Sequence, residues 1–311
     1  MRFRSLCAAA LILTLSACAS TTPGYKIADV TEARKLSNKG LLLLATGDTS
    51  EALKALNAVI AYGSIDDADY ARRAAILGTR KEYDGALADA NRAIEINSRK
   101  WRRFLERAVI YQRMGRYDEA ITDLDSARKL DPYQAALLRR SAYLKIVASH
   151  FDAAIADYEE LIRMMPRSDT GQLGRGAALY IAGRWSEAGD QFADMLKYKP
   201  NDGLAALWLA KSRVQAGQVL AWEEIREGAQ DEPQWNMTRA LLTLGSDKDV
   251  LPLLETVEAC EKALFLGVWR QKNKDLNGAA QDFRAALKAC PLDSIETRET
   301  TAALARLVPS S

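Results

Sequence analysis

Apolar residues recur at three- and four-residue intervals along most of the chain, the signature of helices with one buried face. The pattern also repeats on a longer scale. Ala52, Ala86, Ala120, Ala154 and Ala188 each follow the last by 34 residues. An aromatic stands three positions before four of them (Tyr83, Tyr117, Phe151, Trp185), and a proline falls twelve after three (Pro132, Pro166, Pro200). A small residue sits twelve before each, at Gly40, Ala74, Ala108, Ala142 and Gly176. Five units in one frame predict stacked pairs of antiparallel helices, A and B, with units opening near Ala33, Asp67, Trp101, Ala135, Asp169 and Gly203.

Each residue type has a physical reason. Small side chains at Ala108 and Ala120 let helices A and B approach closely, and Tyr117 fills the space over the turn. Gly115 takes positive φ at the helix end, and Pro132 stops helix B. One hairpin cannot bury its own apolar face, so neighbours stack.

Over 34–216 this pattern resembles the tetratricopeptide repeat (TPR), which implies an all-α solenoid of about six to seven helix-turn-helix units. The sixth unit departs from it, because Trp222 stands where helix B should carry its alanine. Residues 229–236 read as a loop, followed by short helices over 237–244 and 249–257. A seventh unit starts at Cys260, with Gly267, Ala279, Phe283, Ala286 and Pro291 in the expected places. Ser294 as N-cap, with Thr297 in place of the capping-box acid, then starts a helix that closes the stack. The expected organisation is units one to six over 31–228, an irregular helical insertion over 229–259, unit seven over 260–293 and a capping helix over 294–308.

The amino terminus carries a different signal. Arg2 and Arg4 precede a mostly apolar run that ends in Leu15-Ser16-Ala17-Cys18. About a dozen apolar residues fit a signal peptide, whereas a membrane span needs about 20. Leu-Ser-Ala-Cys resembles a bacterial lipobox, which implies cleavage after residue 17, palmitate-type acylation of Cys18 and a linker over 18–30. Ala19 in place of Asp after that cysteine implies the outer membrane, facing the periplasm. An ordinary secreted chain cut near Ala19 is the alternative.

With Cys7 in the leader and Cys18 acylated, Cys260 and Cys290 remain, in a compartment that permits disulfides. In the repeat frame they open helix A and close helix B of one antiparallel pair, ends that lie together. A disulfide is expected there, the alternative being two unpaired core cysteines.

Composition narrows the function. The chain of 311 residues is 48% hydrophobic and 27% charged, enough for a packed core. Lys plus Arg number 43 against 41 Asp plus Glu, and two of the arginines lie in the leader. Such a balance disfavours nucleic-acid binding, which needs surplus cationic charge. A single histidine, His150, excludes multi-histidine metal sites, and a turn accounts for it. No His-Glu-x-x-His, Gly-x-Ser-x-Gly, phosphate loop or Cys-x-x-Cys occurs. Gly174-Arg175-Gly176 lacks the third glycine of a dinucleotide fingerprint. Asp152, Asp157, Glu159 and Glu160 are assigned to solvated outer faces. The chain therefore reads as a non-enzyme with no cofactor and no metal.

After residue 233 the order of a Pro/Trp break, Cys260-Glu261-Lys262-Ala263-Leu264-Phe265-Leu266-Gly267 and an Ala-rich closing helix is similar to the tail of NlpI-like TPR lipoproteins. That likeness implies an outer-membrane scaffold that can form a homodimer and recruits cell-wall hydrolases, a protease or assembly factors. A pilotin or secretion-assembly lipoprotein of the type IV or Tad pilus kind is the alternative. In a TPR solenoid the A helices line a concave groove, and the resemblance places Arg102, Leu105, Arg113, Arg139, Tyr143, Leu173, Tyr180 and Lys211 there. Guanidinium groups between aromatic and aliphatic anchors suit an acidic-apolar peptide or helix. The alternative is that half of these residues only pack against the next unit.

Overall fold

The computed structural model describes residues 27–307 except 231, 292 and 293, and among these no strand occurs. Cys18 and the leader lie outside the described residues. No described helix is long and apolar enough to cross a membrane. The chain divides into two compact bodies, one ending at Ser64 and one beginning at Ile65.

The first body holds α1 (Ile27–Ala45) and α2 (Thr49–Ala61). They pack closely because Gly40 meets Leu56 and Ala52 is fully buried.

The second body opens with α3 (Asp67–Thr79) and α4 (Tyr83–Ile96), α5 (Trp101–Arg113) and α6 (Tyr117–Leu130), α7 (Ala135–Val147) and α8 (Phe151–Met164), and α9 (Asp169–Ile181) and α10 (Trp185–Tyr198). Each of these A helices starts where the 34-residue frame places it, and each B helix starts on the aromatic. Ala86, Ala120, Ala154 and Ala188 are fully buried at the A–B contacts. At Gly176 even one methyl would stand 2.4 Å from the Phe192 ring, so a larger aromatic on helix B is matched by a smaller residue on helix A.

The turns between A and B helices adopt left-handed backbone in the same register. Gly115 has φ 74°, and Lys81 and Ser149, one unit before and one after it, have φ 64° and 66°. Lys274 does the same in the last turn, at φ 64°. Glycine is the unstrained residue for this conformation, so these three positions carry strain that Gly115 does not.

The sixth unit differs from the sequence expectation. After α11 (Gly203–Gln215), Trp222 lies in a short 3-10 turn (Trp222–Glu224), and no α-helix forms until α12 (Pro233–Thr243). A tryptophan in the alanine position is too bulky for close helix contact. α12 takes the B-helix place instead, packing on α11 with Ala240 fully buried and Trp235 seated against Gly203. Its helix starts inside the expected 229–236 loop, where Pro233 suits a first turn. The second expected short helix shrinks to α13 (Asp247–Val250) and a 3-10 turn (Leu251–Leu254).

α14 (Ala259–Lys272) and α15 (Leu276–Ala289) form the last pair, bridged by a Cys260–Cys290 disulfide with a Cα–Cα distance of 4.8 Å. α16 (Ile295–Leu307) follows, and the Thr297 amide donates to Ser294 Oγ at 3.2 Å. α16 does not simply cover the end of the stack. It packs on α15 and α14 and also reaches α9 and α7.

Reducing the Cys260–Cys290 bridge, which spans 30 residues, should lower stability by about 3–4 kcal/mol on the chain-entropy account, read from urea unfolding with and without reductant. Replacing Lys81 or Ser149 with Gly should raise the unfolding free energy by about 0.5–1 kcal/mol each. The same exchange at Ala182, which has ordinary helical backbone, should lower it.

Candidate interaction face

In the second body the charges within repeats are paired across helices. Arg73 donates to both carboxylate oxygens of Asp89 at 2.6 and 2.7 Å, and Arg107 does the same to Asp123 at 2.8 and 2.7 Å, one repeat later. In the next unit Ser141 replaces the arginine, and Lys145 supplies the cation to Asp157 at 2.6 Å. Asp157 is therefore buried in an A–B clasp and not on a solvated face as its position in the sequence suggested. Asp152 is exposed and Glu159 receives Arg175 at 3.1 Å, so the rest of that acidic group stays at the surface or close to it. His150 occupies the N-cap position of α8 without a capping hydrogen bond from its side chain, half-exposed and with Nε2 3.6 Å from Asp118 Oδ1.

Other cations on the A helices α5 and α7 behave differently. Arg102, Arg113 and Arg139 are exposed, and among the described residues none of them forms an ion pair with a carboxylate. The Arg102 guanidinium lies 4.8 Å from the Trp101 ring centroid. Arg140, next to Arg139, donates to Gln112 Oε1 at 2.7 Å. Burial lowers the Arg140 pKa, and the like charges of Arg113 and Arg139 lower it further. The Arg140 guanidinium thus feels two like charges, and among the described residues none of the three forms an ion pair with a carboxylate. Leu105 and Tyr143 are half-buried beside them, packed against the Leu137–Leu144 cluster. Tyr158, whose surroundings include Tyr143 and Arg139, is buried, and burial pushes its phenol up to about 12.

The eight expected groove residues are therefore not one open surface. Arg102, Leu105, Arg113, Arg139 and Tyr143 lie on α5 and α7 with some exposure, and Leu173 on α9 is half-buried. Tyr180 and Lys211 are closed off, a correction to the sequence expectation. Tyr180 is 1% exposed, and Lys211 is buried in an ion pair with Glu299 of α16. The reason is tertiary, since α16 occupies the face that these two A-helix residues would otherwise present.

Two residues that shape this face escaped the sequence reading. Arg140 looked like an ordinary helix arginine, although it adjoins Arg139. Glu299 carried a signal that was readable, an acid on the same helical stripe as Ile295, Ala302 and Ala303. Among the described residues no group of three or more His, Cys, Asp or Glu side chains is placed to hold a metal.

Known structures share this architecture. A tetratricopeptide repeat protein from Parabacteroides merdae superimposes with a TM-score of 0.61 at 16% identity, covering 88% of this chain and 99% of its own. The C-terminal part of a TPR repeat-containing protein from Cytophaga hutchinsonii gives 0.54 at 18% identity over 82% of this chain and 95% of its own. The pilF protein of Pseudomonas aeruginosa gives 0.50 at 17% identity over 72% and 97%. At these identities the likeness shows the fold. One tetratricopeptide-repeat description matches residues 37–99 and 139–203, and a second matches 102–134, together more than half of the sequence. With its helix starts and its buried alanines in the same register, the chain belongs to the tetratricopeptide-repeat proteins.

Proposed function

We propose that this protein is a non-catalytic scaffold of the bacterial cell envelope, anchored in the outer membrane through acylated Cys18 and facing the periplasm. It binds envelope proteins through the A-helix face of α5 and α7. The observation that carries this reading is the cationic stretch Arg102, Arg113, Arg139 and Arg140: among the described residues none of the four forms an ion pair with a carboxylate, although Arg107 and Lys145 on the same two helices are paired. Such a surface fits an acidic segment with apolar anchors, its carboxylates held bidentately and its side chains set against Leu105 and Tyr143. The Cys260–Cys290 bridge supports an oxidising compartment.

The partner class that follows from the NlpI-like tail is a cell-wall hydrolase, a protease or an assembly factor, with homodimer formation as a further property of that class. A second reading, an assembly lipoprotein of the type IV or Tad pilus kind, gains from one observation. Because α12 completes the sixth pair, the repeats are less interrupted than the sequence suggests. The two readings share anchor and face and differ in the partner held.

Reversing charge at Arg113→Glu together with Arg139→Glu should cut capture of the partner from solubilised envelopes by about tenfold or more, since each charge-assisted contact contributes on the order of 1.5–3 kcal/mol. Cross-linking in living cells with Cys18→Ser should lose the same partners and release the chain from the membrane fraction. Unchanged capture by the double variant would remove the cationic face from the account.

A further inference from the structure

From Ile65 to Gln215 the stacked pairs have two edges. One is made of the A–B turns, the other of the segments that join each B helix to the next A helix. Among the described residues of this stretch the exposed large apolar side chains are Ile65, Leu130, Tyr133, Met165, Tyr198 and Leu204, and all of them stand on the second edge. Ile65, Tyr133 and Tyr198 are 81%, 86% and 87% exposed, as open as side chains in a loop can be. The A–B turns expose Arg80, Lys81, Arg116, His150 and Arg184 instead, and their aromatics, Tyr83, Tyr117, Phe151 and Trp185, are half-buried. Single exposed apolar residues are common on any protein surface; their confinement to one edge is the feature that needs a cause.

The joining segments lie side by side. Lys100 reaches Asp67 at 3.3 Å, Arg128 reaches Glu160 at 3.0 Å and Lys199 pairs with Asp169, each contact linking the ends of successive pairs. The aspartates of this edge are already engaged. Asp67 and Asp169 belong to those pairs, Asp194 receives Lys197, and Asp66, Asp131 and Asp202 accept hydrogen bonds within their own turns. Arg99, Lys129, Arg163 and Arg167 are exposed and, among the described residues, form no ion pair. The edge thus presents separate apolar tips with unpaired cations between them.

Separate tips do not make the core of a protein interface, which needs one contiguous desolvated patch. A bilayer surface accepts them one by one, with aromatic rings at headgroup level and Lys or Arg beside the phosphates. We propose that this edge lies on the phospholipid surface, so that the paired helices from α3 to α11 stand on the membrane by their B-to-A joints and the A–B turns point away from it. The inference rests on the acylated Cys18 of the proposed function for its proximity to lipid. Nine residues separate Cys18 from Ile27, a reach of about 30 Å when fully extended, and a tethered surface needs only weak contacts to stay down. It does not use the arginine stretch of α5 and α7.

The experiment uses the purified, acylated full chain on vesicles of phosphatidylethanolamine and phosphatidylglycerol, with or without bromine at the top of the acyl chains. Bromine quenches indole emission only at close range, so it reads which residues touch the bilayer. Tyr133→Trp and Tyr198→Trp each add an indole on the edge, and His150→Trp adds one at an A–B turn. The emission added at 133 and at 198 should fall by about threefold on brominated vesicles, while that added at 150 stays unchanged. Both edge positions are exposed, so either variant alone gives the result if the other fails to fold. Flotation with the vesicles reads the anchor separately. A chain that floats but is quenched at neither edge position keeps the anchor and overturns the proposal. Equal quenching at 150 overturns it too, since the stack would then have no fixed side towards lipid. Edge indoles shielded in whole envelopes but not on pure lipid would give the edge to a protein partner, with the same consequence. A chain that neither floats nor is quenched removes anchor and edge together.

Discussion

Two helices pack closely only where one of them offers almost no side chain at the crossing. That requirement recurs at Ala52, Ala86, Ala120, Ala154, Ala188 and Ala279, each with no solvent exposure. A larger residue there pushes the helices apart by more than the apolar gain can offset, since protein interiors are packed as densely as crystals. The sixth unit shows the consequence. With Trp222 in that place, the local sequence forms a 3-10 turn and a later helix, α12, is recruited to complete the pair.

Close pairing brings polar groups together as well. Asp89, Asp123 and Asp157 are buried at the same point of successive repeats, and each must meet a cation from helix A. Arginine supplies it with two parallel hydrogen bonds in two units, and a lysine with a serine does so in the third. Cations used in this way cannot recruit a partner. Those on α5 and α7 that face no carboxylate are a different population, although the residue types are the same.

The last helix divides the A-helix face into a covered stretch and an exposed one. Where α16 lies, Tyr180 and Lys211 are internal groups, and burial together with the nearby Glu299 holds the Tyr180 phenol far above its ordinary range. On α5 and α7 the face retains exposed charge. One array of A helices thus carries an internal contact on one stretch and exposed charge on another, and repeat proteins can do this because each unit contacts mainly its neighbours.

In units two to five the helix starts, the buried alanines, the positive-φ turn at Gly115 and the pairing partner of each helix were legible in the sequence, because all of them are local and recur every 34 residues; the left-handed turns at Lys81 and Ser149 and the pairing of α11 with α12 were not. The facing of Cys260 and Cys290 followed from the same register. What only the tertiary structure decided was which groove positions stay open. Lys211 meets Glu299, a residue far away in the chain, and spacing within a repeat has no information about a helix that returns across several repeats. Asp157 was misjudged for a related reason, since its helix position looked outer until the neighbouring Lys145 and Ser141 were placed against it. Periodicity determines which residues share a helix face; whether another segment covers that face depends on long-range contacts whose energy belongs to no single repeat.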